Sequence, residues 1–224
     1  MYNYLGGLDM AFDFSLNMEK LSLKIADEHT RKMTNNNYIE DDDVFLDEEK
    51  LINNIENGFI TLTHLNCYIE SYLNTIINCC MNYRGERLLK TNIEDKIEYI
   101  YLYYKKDIQL LKSLHCWEIF KIGTRVRNEM IHYKISSIGM GTGIPVFEIG
   151  KQSVDTYFTI DNMIKIYNGF IELSEVIAEH LDLIIIKNIN IFGCDGATIV
   201  NRYVYDKSIL DESLMEFFKK YDYI

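Results

Sequence analysis

Between Ile55 and Cys80 an apolar side chain returns every third or fourth residue: Ile55, Phe59, Leu62, Leu65, Ile69, Leu73, Ile76 and Cys80. A period of 3.6 places all eight on one stripe of an α-helix, whereas a strand, with period two, would scatter them over both faces. Proline, which breaks helix interiors, occurs once in 224 residues, at Pro145. The expected fold is therefore mainly α, an antiparallel helical bundle joined by apolar stripes.

The stripe belongs to a helix read over 47–83, which Arg84-Gly85-Glu86 ends. A helix over 10–33 carries Met10, Phe14, Met18, Leu21 and Ile25. The acidic run 40–49, seven of whose ten residues are Asp or Glu, reads as a solvated loop that caps the next helix and suits its positive N-terminus. Residues 93–107 are rich in tyrosine, with rings at a core edge and hydroxyls in water. A helix over 108–134 aligns Leu110, Leu114, Trp117, Phe120, Thr124 and Ile131, and Gly123 lets another backbone come close. Gly139-Met140-Gly141-Thr142-Gly143 lacks G-K-[ST] and follows a helix rather than a strand, so it reads as a connection and not a phosphate loop. Val146–Ile149 and Tyr157–Ile160 flank Gly150-Lys151 as a small β-hairpin insertion. A helix over 161–182 turns Ile164, Tyr167, Phe170, Ile171, Ile177 and Leu181 inward. The apolar run 183–192, the turn at 193–196, a return strand at 198–205 and a helix at 208–220 form a short α/β C-terminal extension. With no repeat and no linker, 1–224 reads as a single domain with its core at about 47–183, to which the helix 10–33 and the extension 184–224 are attached.

The net charge is −11, which argues against a general nucleic-acid surface, because phosphate contacts dominate such binding. Any RNA contact must be local. Lys121, Arg125, Arg127 and Lys134 gather against one acid, Glu129, and Arg84, Arg87 and Lys90 form a smaller group. Five cysteines with no C-x-x-C pair suit reduced thiols, and the start of the chain has neither the basic residues nor the apolar run of a secretory signal. The longest apolar stretch is too short for a membrane span, so a cytoplasmic protein is expected.

The helix over 108–134 contains Arg127-Asn128-Glu129-Met130-Ile131-His132. With 19 Asn and 5 His in the chain, an Arg-Asn pair followed by His at this spacing arises by chance about 0.01 times. In a regular helix Asn128 and His132 share a face, where an amide can orient an imidazole. The string R-N-x-x-x-H resembles the signature of the HEPN superfamily, helical proteins of which many are metal-independent ribonucleases. The resemblance covers 47–134 and extends to the helix 161–182. It implies a homodimer in which Arg127 and His132 meet their copies across a two-fold axis, with no metal and no cofactor. The implied reaction is attack of the RNA 2′-hydroxyl on the adjacent phosphate, with His132 moving the proton and Arg127 holding the phosphate. Asn128 completes the catalytic set, while Lys121, Arg125, Tyr133 and Lys134 bind substrate. Arg125 lies two turns before His132 and almost on its face. One branch, the toxins paired with nucleotidyltransferase antitoxins, carries Tyr two residues after the His; here Lys134 stands there and Tyr133 precedes it. The implied role is a toxin or phage-defence nuclease with an antitoxin or regulatory protein as partner. The alternative is a non-catalytic HEPN-like module that binds a nucleotide or a protein. His29, His64, His115 and His180 are read as structural.

Overall fold

A computed structural model describes residues 9–35, 37–40, 43–81, 86–131, 136–137, 147–149, 152–189, 201–206, 216 and 219. The described residues are mainly helical. The helices are α1 (Asp9–Lys32), α2 (Glu48–Thr75), α3 (Glu86–Leu89), α4 (Ile93–Tyr103), α5 (Ile108–Lys112), α6 (His115–Ile131), α7 (Val154–Tyr157) and α8 (Ile160–His180). None of the described helices is long and apolar enough to cross a membrane. Short antiparallel pairings join Asn37–Glu40 to Asp43–Leu46, Ser136–Ser137 to Phe147–Ile149, Phe147–Ile149 to Gln152–Ser153, and Leu183–Ile189 to Asn201–Asp206.

Several local expectations change. The acidic run is not all loop, since Asp43–Leu46 pairs with Asn37–Glu40. Asp47 caps α2 by accepting from the Lys50 N–H at 3.1 Å. That bond holds its carboxyl below the usual carboxylate range. After Thr75 the helix widens into a π-helical turn, Ile76–Cys80, closed by Met81 N–H on the Ile76 carbonyl. The helix expected over 108–134 breaks at Ser113, whose hydroxyl donates to the Leu110 carbonyl at 2.9 Å. The break resets the register: Leu111 is buried while Leu110 is 59% exposed. Leu21, Ile131 and Ile164, all placed inward by periodicity, are exposed as well. The strand expected at 157–160 is instead a bend between two helices: Tyr157 ends α7, and Thr159 Oγ1 accepts from Asn162 N–H at 3.3 Å to cap α8, which begins at Ile160. The connection 139–143, the turn 193–196 and most of 208–220 lie outside the described residues.

The chain divides into two compact units, 23–66 with 114–173, and 1–22 with 67–113 and 174–224. In the first, the end of α1 runs antiparallel to the start of α2. Thr30 meets Thr61 at 3.3 Å, His29 meets Asn57 at 2.8 Å, and Asn54 uses both ends of its amide on the Thr34 backbone at 3.0 and 2.7 Å. Leu62, Leu65, Phe120, Val126, Phe158, Met163, Phe170 and Leu173 are buried there. Gly58 of α2 leaves room for the Phe158 ring, so close that a Cβ would stand 2.4 Å from it. In the second unit Tyr68 and Tyr72 both reach Ser174, at 2.6 Å to its hydroxyl and 2.9 Å to its carbonyl. Lys96 threads its wholly buried side chain out to Glu70 at 2.7 Å. Of the tyrosine-rich segment, Tyr101 is buried with its hydroxyl on His180 Nδ1 at 2.9 Å, and Tyr99 and Tyr103 face outward.

Candidate active site at the end of helix α6

Helix α6 is locked in rotation by its apolar face and two small residues. Trp117, Phe120 and Val126 are buried. At Gly123 a Cβ would stand 2.8 Å from the Phe170 ring, and at Gly169 one would stand 2.5 Å from Ile119. Each helix thus offers the other a glycine as a socket. A polar pin adds direction: Thr124 donates to Asn66 Oδ1 at 2.9 Å, and the Asn66 amide donates to the Leu62 carbonyl at 2.8 Å.

This rotation sets where the basic side chains emerge. Lys121 and Arg125 are exposed, and Arg127, Asn128 and Glu129 are half-buried. At about 100° per residue, positions 121, 125 and 128 fall within about 60° of one another, and 127 lies about 100° aside from 128. The Arg125 Nη2 donates to the hydroxyl of Tyr157 at 3.3 Å, a buried residue that ends α7. Arg127 Nη1 donates to Asn128 Oδ1 at 2.8 Å. Two buried polar atoms nearby have no partner, Arg127 Nε and Glu129 Oε2.

The sequence-based site is therefore placed in part. Arg127, Asn128, Arg125 and Lys121 all lie on α6, while His132, Tyr133 and Lys134 lie outside the described residues. The amide of Asn128, expected to orient His132, accepts through its carbonyl from Arg127. Tyr157 was missed: its contact with Arg125 spans 32 residues, and no spacing rule signals it. The second basic group leaves Arg87 and Lys90 exposed, with Arg84 outside the described residues.

Three of the other histidines make side-chain contacts. His29 bonds Asn57, His180 bonds Tyr101, and His115 sits 3.5 Å from Glu118. His64 Nδ1 is buried without a partner. Burial, and then the charge of His29, push its titration below the ordinary histidine range. An open groove of about 680 Å³ belongs to the second unit, lined by Tyr99, Leu102, Ile108, Lys106 and Lys112 among others. Its lysines already pair with acids, Lys106 with Asp182 and Lys112 with Glu98. Comparison with family models, with curated proteins and with solved structures finds no match for the chain.

Proposed function

We propose that this chain is a HEPN-type, metal-independent endoribonuclease that cuts RNA in a composite cleft of a homodimer. The observation that supports it most is the state of Arg127. Its guanidinium is half-buried, clamped by its neighbour Asn128, and keeps a buried Nε donor without a partner. A desolvated, oriented arginine with spare donors is suited to a phosphate whose charge grows in the transition state. The helical packing around α2, α6 and α8 is compatible with a HEPN bundle, and Lys121, Arg125 and Arg127 within two turns of α6 set positive charge against a net of −11.

In this reaction the 2′-oxygen bonds to phosphorus as the bond to the 5′-oxygen breaks. His132 accepts the 2′-proton or supplies one to the leaving oxygen, for which a near-neutral imidazole is suited. Arg127 carries the extra charge on the non-bridging oxygens. The products are a 2′,3′-cyclic phosphate and a 5′-hydroxyl. A cytoplasmic toxin or phage-defence role, restrained by an antitoxin or regulatory protein, follows from the same family reading. Purified protein is expected to cut single-stranded RNA in EDTA, and His132→Ala is expected not to. Equal cleavage by both refutes the mechanism.

A further inference from the structure

Two arginines compete for the phosphate, and the geometry separates their tasks. Arg127 is half-buried and turned aside onto Asn128. Arg125 is exposed, lies on the same side of α6 as Asn128, and stands one turn from Lys121. An exposed arginine ordinarily samples many rotamers, and fixing it costs entropy on binding. Here the buried hydroxyl of Tyr157 accepts from Nη2 at 3.3 Å. Nη2 is one of the two terminal nitrogens of the fork, so the bond steers the planar guanidinium and leaves its other N–H groups for a ligand. Tyr157 is only 6% exposed and belongs to a separate helix, α7, so the anchor does not move with the arginine.

We infer that Arg125, braced by Tyr157, is the site that grips a non-scissile phosphate of the RNA strand, with Tyr157 as a positioning residue. The inference rests on the ribonuclease reading only for the identity of the ligand. Arg125 and Lys121 share one face of α6, and Arg127 lies about 160° round the helix from Arg125, so the phosphate held by Arg125 is not the scissile one at Arg127. Tyr157 pre-orders the cation and so strengthens ground-state binding without taking part in proton transfer.

The test uses a single-stranded 2′-O-methyl oligoribonucleotide, in which the attacking hydroxyl is blocked, so binding is read apart from cleavage. Affinity is measured by fluorescence anisotropy across a salt series for wild type, Arg125→Gln, Tyr157→Phe and the double variant. Arg125→Gln is expected to weaken binding about tenfold. It also lowers the slope of log K against log salt by about 0.7, the loss of one phosphate contact on a single strand. Tyr157→Phe keeps the ring and the charge, so it is expected to weaken binding about threefold with the slope unchanged. The double variant should match Arg125→Gln alone, because the hydroxyl's effect on RNA binding passes through the guanidinium. Binding by Arg125→Gln equal to wild type, or additive effects in the double variant, overturns the inference. If these effects appear but unmodified RNA is never cut, the nuclease reading fails and the phosphate site stands. If RNA is cut and the variants bind like wild type, the reverse holds.

Discussion

Gly123 and Gly169 show what a single absent methyl does here. Alanine is a better helix former than glycine by about 1 kcal/mol. At Gly169 the added carbon would press on the Ile119 side chain near its own Cβ, at 2.5 and 2.9 Å, where little can yield. Overpacking of this kind costs about 1–3 kcal/mol. Gly169→Ala is therefore expected to lower stability on balance, by about 1 kcal/mol or more in denaturant unfolding; an unchanged or raised midpoint contradicts the socket. Asn128 acts at the same scale. Its carbonyl fixes Arg127, so Asn128→Ala is expected to slow RNA cleavage by about ten- to a hundredfold at little cost in thermal midpoint. An unchanged rate denies the clamp. His64 has a folded-state pKa below its unfolded value of about 6.5. The unfolded chain therefore takes up the proton first, and stability falls as pH drops through about 6.5, levelling off below the folded pKa. Melting curves between about pH 7.5 and 5.5 should show this fall, smaller in His64→Gln; an equal fall in both assigns the effect to other groups.

At the scale of elements, periodicity reveals long helices well and their interruptions poorly. The stripe from Ile55 onward predicts α2, and the patterns at 10–33 and 161–182 predict α1 and α8 to within a residue or two. The break at Ser113 was hidden because a hydroxyl bond to the preceding turn leaves no trace in hydrophobic spacing. The residues Tyr157-Phe158-Thr159-Ile160 have strand propensities, yet Thr159 serves as a helix cap and Phe158 fills the space over Gly58. Burial and capping override propensity there. Just past the end of α1, Asn54, wholly buried, binds both the N–H and the carbonyl of Thr34. Asn54→Ala is expected to cost about 1–2 kcal/mol and to speed amide exchange near Thr34 while exchange elsewhere in α2 is kept. Exchange that stays slow at Thr34 removes that role.

At the scale of the whole molecule, charge and motif pull in opposite directions. A net −11 repels RNA generally, and the cations of α6 create one exception. The adjoining Arg127 and Asn128 were legible in the sequence, as was the sharing of one face by Arg125 and Asn128, because both follow from helix arithmetic. The Tyr157 brace and the unpartnered Arg127 Nε were not, because they depend on what packs beside α6. The most direct test of the whole is the chemistry of the cut ends. Single-stranded RNA treated with purified protein in EDTA should yield fragments ending in a 2′,3′-cyclic phosphate and beginning with a 5′-hydroxyl, identified by mass spectrometry. Strands with a 2′-O-methyl group at the cleavage position should stay intact. Fragments with 5′-phosphate ends, or DNA cut as readily as RNA, would contradict 2′-hydroxyl attack at this site.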